Sequence, residues 1–112
     1  MRTLYVECRM GIAGDMLMGA LYELLDDDGR KDFVRAINNA GIPGVKVEAQ
    51  ESIKCGVKGT HMEVRIFGET EGHHDHSHSH GHGIEDIEKI IKSLKLSQGV
   101  KEKALQVYER IA

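Results

Sequence analysis

Residues 45–66 read VKVEAQESIKCGVKGTHMEVRI, and this stretch decides the fold. Val45, Val47 and Ala49 alternate with charged or polar neighbours, and Thr60, Met62, Val64 and Ile66 do the same. A period of two is the signature of a strand with one face buried. The pattern predicts two antiparallel strands joined around Cys55-Gly56, a hairpin with an irregular turn in which Gly56 and Gly59 take unusual backbone angles. His61 falls on the opposite strand face from Met62 and Val64, toward solvent or toward a cavity shared with Glu63.

Upstream of the hairpin, Thr3 to Cys8 alternates as well, with Leu4, Val6 and Cys8 on one face, and reads as a strand. Gly11 and Gly14 break it. A helical stripe then runs through Ala13, Met16, Leu17, Ala20, Leu21 and Leu24 to Asp26-Asp27-Asp28, with Gly29 expected just past the helix end. A second helix is predicted over Lys31 to Ala40, burying Phe33, Val34 and Ile37, and Gly41 and Pro43 stop it. Downstream, residues 69–83 are polar and rich in Gly and His, and predict a mobile loop. Ile84, Ile87, Ile91 and Leu94 mark a third helix. Ser97 is a suitable N-cap for a fourth, which carries Val100, Ala104, Val107, Tyr108 and Ile111. The order strand, helix, helix, strand, strand, loop, helix, helix predicts an α+β class: a small antiparallel sheet with helices on one face, in a ferredoxin-like arrangement short of its last strand. The apolar stripe of the last helix reaches Ile111 with no Gly, Asn or Pro to close it. The expectation is a single N-terminal α+β domain, residues 1–112, of a longer chain.

Composition narrows the function classes. The chain has 112 residues, a formal net charge of −3, 40% apolar and 29% charged residues, two Phe, three Tyr and no Trp. Such a chain has neither the basic footprint nor the stacking platform of a nucleic-acid binder, and no run long enough to span a membrane. Cys8 and Cys55 form no Cys-x-x-Cys pair, and Met1-Arg2-Thr3 with the short apolar run after it does not read as a secretory leader. The expectation is a cytoplasmic chain with both thiols reduced.

Three stretches could carry chemistry. Of seven histidines, six (His73, His74, His76, His78, His80 and His82) fall in one segment with Asp, Ser and Gly spacers. Neutral imidazole is the usual nitrogen ligand of zinc, nickel and copper. In an extended strand, histidines two apart stand about 6.5–7 Å from each other, so chelation by neighbours requires the bending that Ser and Gly permit. This predicts exchangeable divalent-metal binding that weakens as pH falls through about 6.5. The plainer reading is a solvated linker that binds metal only adventitiously. Cys8-Arg9-Met10-Gly11-Ile12-Ala13-Gly14-Asp15 places a strand end, a glycine turn and a helix start together, and such a helix start suits an anion. Asp15 there is a helix cap, a metal ligand or a base. Lys54-Cys55-Gly56-Val57-Lys58 sets a thiol between two lysines, which favours a thiolate, a soft ligand for nickel or zinc. The plainer reading makes Cys55 a filler in a turn.

Leu4-Tyr5-Val6-Glu7-Cys8, Gly11-x-x-Gly14-Asp15-Met16, Gly41-Ile42-Pro43-Gly44, Lys54-Cys55-Gly56-Val57-x-Gly59-Thr60-His61, the internal His-rich segment and Val107-Tyr108-x-x-Ile111-Ala112 occur in this order over nearly the whole chain. Together they resemble the N-terminal part of the LarC nickel-insertion proteins. The resemblance implies insertion of nickel, Ni(2+), into a pyridinium bis-thiocarboxylic acid mononucleotide, a dithiolate. The reaction forms nickel–sulfur and nickel–carbon bonds and makes the nickel-pincer cofactor of lactate racemase-type enzymes. It also implies coupling to CTP hydrolysis, with CTP and its Mg or Mn ion held by a C-terminal region outside these residues, so that this chain alone is expected to be inactive. Within that frame residue chemistry makes Cys8 and Asp15 catalytic candidates. Gly11, Gly14, Lys54 and Lys58 are substrate-binding candidates. Cys55, His61 and the six clustered histidines are metal candidates. Arg9-Met10 stands where many relatives carry a Phe-Ser pair, which removes a hydroxyl ligand. A nickel or zinc store or metallochaperone without chemistry of its own is the alternative, and a homo-oligomerisation module a third reading.

Overall fold

The computed structural model describes residue 1, residues 3–66, the backbone of 69–70 and residues 83–111. The hairpin forms as its alternation dictates. Strand β1 (Val45–Lys54) pairs antiparallel with β2 (Val57–Ile66), in a register that sets Val47 opposite Val64 and Ala49 opposite Met62. The turn is regular rather than irregular. Only Cys55 and Gly56 connect the strands, with φ of 50° and 76°, the paired positive values of a type I′ turn whose twist matches the strands. Gly59 instead lies within β2 opposite Ser52, and is not among the positive-φ residues.

Helix α1 (Gly14–Glu23) and α2 (Asp27–Asn39) lie on β2 and β1 respectively. At Gly19 the helix backbone comes so close to the sheet that a Cβ would sit 3.0 Å from the Thr60 carbonyl oxygen and 3.5 Å from Met62 Cγ. The break between the helices falls earlier than predicted. Asp26 is the N-cap of α2, its Oδ1 accepting the Gly29 N–H at 2.8 Å, so Gly29 belongs to the first turn of α2 and does not end α1. Three successive aspartates at this end favour the helix through its dipole. Arg30 then closes α1 from outside, donating to the carbonyls of Tyr22 (3.4 Å) and Glu23 (3.0 Å), with its guanidinium 5.5 Å from the Tyr22 ring centre.

Asn38 binds α2 to the outer edge of β1. Its amide donates to the Val47 carbonyl and accepts from the Val47 N–H, both at 2.8 Å, and also donates to the Val34 carbonyl at 2.9 Å. A single side chain thereby occupies a backbone position that an edge strand would leave open. Beyond the hairpin, β3 (Glu69–Thr70) pairs with β2 through Arg65–Thr70 and Ile66–Glu69, giving the order β1-β2-β3. The first two residues of the expected loop thus continue the sheet. Its remainder up to His82 lies outside the described residues. Helices α3 (Ile84–Ser93) and α4 (Gln98–Ile111) form the predicted pair, joined to the rest by the Lys95 N–H donating to the Ala40 carbonyl at 2.7 Å. Among the described residues, Ala40, Val47, Met62 and Leu94 are the buried apolar side chains.

The α+β class holds. Two further expectations change. Residues 3–8 form no strand and the sheet lacks them, so the ferredoxin-like arrangement does not arise among the described residues. An alternating pattern makes a strand only where a partner supplies hydrogen bonds, and none is present here. In α1 the predicted stripe faces outward: Met16, Leu17, Leu21 and Leu24 are exposed, whereas Met18, Gly19 and Tyr22 on the other side face the sheet.

Candidate functional site

The stretch from Cys8 to Asp15 folds as turn and helix start. The Gly11 N–H donates to the Cys8 carbonyl at 2.9 Å, and Gly11 takes φ +80°, which glycine adopts freely. Ala13 is the N-cap and supplies no side-chain acceptor; of the first N–H groups of α1, that of Met16 donates to Asp15 Oδ1 at 2.9 Å. Gly14 is different from Gly11. Its φ lies outside the left-handed region and nothing lies within 4 Å of its would-be Cβ, so neither backbone angle nor packing explains a glycine there. Cys8 is a free, exposed thiol.

Cys55, also free and exposed, stands at the hairpin tip. Of its flanking lysines, Lys58 is engaged in an ion pair with Glu51 at 2.6 Å, and Lys54 lies across from Val57 at the last strand pair. His61 lies on the predicted face, opposite Gln50, and is exposed. Its neighbour Glu63 accepts from Gln50 Nε2 and from Arg65 NH2, the latter at 2.9 Å, and Arg65 also reaches Glu48 at 3.5 Å. The hydrogen bond and charge of Lys46, then the charge of Arg65, hold the Glu48 carboxyl below its usual range, while Glu63 and then Glu48 push Arg65 upward. The carboxylates around His61 are therefore already neutralised by cations.

These candidates do not converge. Gly19 sits over Thr60, and Glu23 Oε1 is 3.9 Å from the would-be Cβ of Gly59, so α1 runs with its C-terminal end toward the hairpin tip. Asp15 lies about 6 Å from Gly19 in the opposite direction at 1.5 Å per residue. Val57 lies about 10 Å from Thr60 toward the tip at 3.4 Å per residue. Asp15 thus lies on the far side of Gly19 from the hairpin tip, where Cys55, Lys54 and Lys58 stand. His61 is about 14 Å along β2 from Val57. Among the described residues no group of three or more His, Cys, Asp and Glu is placed to hold a metal ion. His73, His74, His76, His78, His80 and His82 lie outside the described residues.

A groove of about 670 Å³ runs between α2 and β1 and is lined in part by Arg30, Lys31 and Arg35, which the sequence patterns did not single out. Arg30 is committed to the end of α1 and Arg35 to Asp32 at 3.3 Å, so two of the three cations have structural partners. No helix of the described residues is long and apolar enough to cross a membrane.

Comparison with known proteins assigns the family. The family model described as "Nickel insertion protein" matches residues 4–112. Three relatives, each named pyridinium-3,5-bisthiocarboxylic acid mononucleotide nickel insertion protein, match the whole of this chain. They are 37% identical in Clostridium kluyveri, over 29% of that protein, 36% in Akkermansia muciniphila, over 27%, and 31% in Acetivibrio thermocellus, over 27%. The chain spans a little over a quarter of the length of these curated relatives. No solved structure matches it. With nearly every residue matched by one family, the chain belongs to the nickel insertion proteins.

Proposed function

We propose that this chain takes part in inserting nickel into pyridinium-3,5-bisthiocarboxylic acid mononucleotide, as the metal-handling, N-terminal part of a CTP-dependent cyclometallase of the cytoplasm. The observation that carries the reading is the family match over residues 4–112, together with relatives named for that substrate. Nickel is a substrate here, collected by the His73–His82 segment and passed through soft and nitrogen donors, Cys55 and His61 among them. CTP and its Mg or Mn ion belong to the part of the relatives that this chain does not match.

The turn before α1 supplies the chemistry. The positive end of the helix, and the unhindered approach past Gly11 and Gly14, where nothing lies within 4 Å of a would-be Cβ, suit the phosphate and thiocarboxylate groups of the mononucleotide. Gly14, which neither angle nor packing requires, leaves room for that approach. Cys8 as thiolate holds nickel beside the nucleotide. Formation of the nickel–carbon bond displaces a proton from the ring carbon, and the Asp15 carboxylate accepts it; its Oδ2 has no partner among the described residues. Lys54 and Lys58 hold substrate anions at the hairpin tip.

The test uses this chain fused in place of the matched part of the Clostridium kluyveri relative, incubated with nickel, CTP, Mg²⁺ and the dithiolate mononucleotide. Asp15→Ala and Cys8→Ala are each expected to lower nickel-cofactor yield at least about 100-fold, the range of a lost acid–base group. Unchanged yield in both makes these residues structural and favours the metallochaperone or storage reading.

A further inference from the structure

Helix α1 carries apolar residues on two opposite sides. Met18, Gly19 and Tyr22 face the sheet, and Met16, Leu17, Ala20, Leu21 and Leu24 form a continuous stripe on the other side, spaced as i, i+1, i+4, i+5 and i+8. That stripe is open: Met16 is 60% exposed, Leu17 37%, Leu21 43% and Leu24 66%. A helix with apolar residues on both sides belongs between two layers, and the described residues provide only one. Independently, Leu4, Val6 and Cys8 alternate as in a strand, yet residues 3–8 pair with no strand among the described residues and their side chains are exposed. An unpaired strand pattern and an uncovered helix stripe, close together in sequence, are two parts of one missing layer.

We infer that this layer is the family's own polypeptide beyond the quarter matched here: a strand of it pairs with residues 4–8, and its apolar side chains cover the outward stripe of α1. The relatives' length argues for this occupant, since this chain matches only 27–29% of them and the rest of each is polypeptide with surface of its own to bury. A second copy of this chain would offer only the same exposed stripe and the same unpaired segment. The inference is independent of the reaction proposed above, because it concerns burial and not chemistry.

Peroxide footprinting separates the occupants. In the isolated chain Met16 is oxidised readily and Met62, 2% exposed, serves as the protected reference. In the fusion to the remainder of the Clostridium kluyveri relative, Met16 oxidation is expected to slow at least about tenfold. The variant Leu24→Gln is expected to lower Tm by at least about 5 °C in the fusion, yet by under about 2 °C in the isolated chain, where that side chain is already 66% exposed. Equal Met16 oxidation in fusion and isolated chain overturns the inference. So does an isolated chain that sediments as a dimer with Met16 already protected, which assigns the face to a second copy.

Discussion

Replacing Asn38 by Ala tests the joint between helix and sheet. Val47 is buried, and both of its backbone hydrogen-bonding groups are satisfied by the Asn38 amide at 2.8 Å. Truncation leaves a donor and an acceptor without partners, at about 1–3 kcal/mol each. Asn38 itself lies at the surface, so water can reach part of what it leaves, and the lower figures apply. Alanine in the helix interior returns about 0.6 kcal/mol of propensity. The balance is a destabilisation of about 1.4 kcal/mol, an appreciable share of a typical stability of about 5–15 kcal/mol. At about 4 °C or more per kcal/mol for a domain near this size, Tm should fall by about 6 °C in a far-UV circular-dichroism melt. Asn38→Asp keeps an acceptor for the Val47 N–H but sets a carboxylate against the Val47 carbonyl, and should fall at least as far. A shift under about 2 °C in both variants would refute the claim that this amide stands in for a neighbouring strand.

Cys55 holds a left-handed conformation that Asn adopts more readily and that Asn-Gly turns favour, so Cys55→Asn should raise Tm by a few degrees in the same melt. If Cys55 also serves nickel, that gain comes with weaker nickel binding by calorimetry. The depressed pKa of Glu48 stabilises the fold above the ordinary carboxyl value near 4.5, and that contribution is lost as pH falls through the lower folded value. Glu48→Gln should therefore flatten the acid limb of a Tm-against-pH profile; an unchanged limb would remove Lys46 and Arg65 as its cause. Replacing all six histidines from His73 to His82 by Ala should abolish exchangeable nickel binding, and wild-type binding should weaken as pH falls through about 6.5. Nickel titrations that do not differ between the two proteins would assign the segment to a solvated linker.

The hairpin was legible because its signal is local: one residue in two is apolar, and Cys55-Gly56 marks where the pattern turns. The boundary between α1 and α2 was misread because Asp26-Asp27-Asp28-Gly29 looks like a helix end, when Asp26 with the Gly29 N–H three residues on is an N-cap. Residue spacing revealed that α1 has a stripe but not which neighbour would cover it. The signal overlooked was Gly19, a small residue on the far side of that stripe, which marks the close approach to Thr60. Asn38 and Val47 meet only after the chain has folded, and no local pattern announces such a bond. Of the candidate site, the Gly11 turn and the position of Asp15 in the first turn of α1 followed from the motif. The separation of Asp15 from Cys55 did not, since it depends on the direction in which α1 crosses the sheet.

The central claim is that residues 1–112 serve nickel insertion itself. Mass spectrometry of the mononucleotide tests it most directly, after incubation with nickel, CTP and Mg²⁺ and either the fusion of this chain to the remainder of the Clostridium kluyveri relative or that remainder alone. A nickel-bearing nucleotide is expected with the fusion and none with the remainder alone. Equal product from both would contradict it.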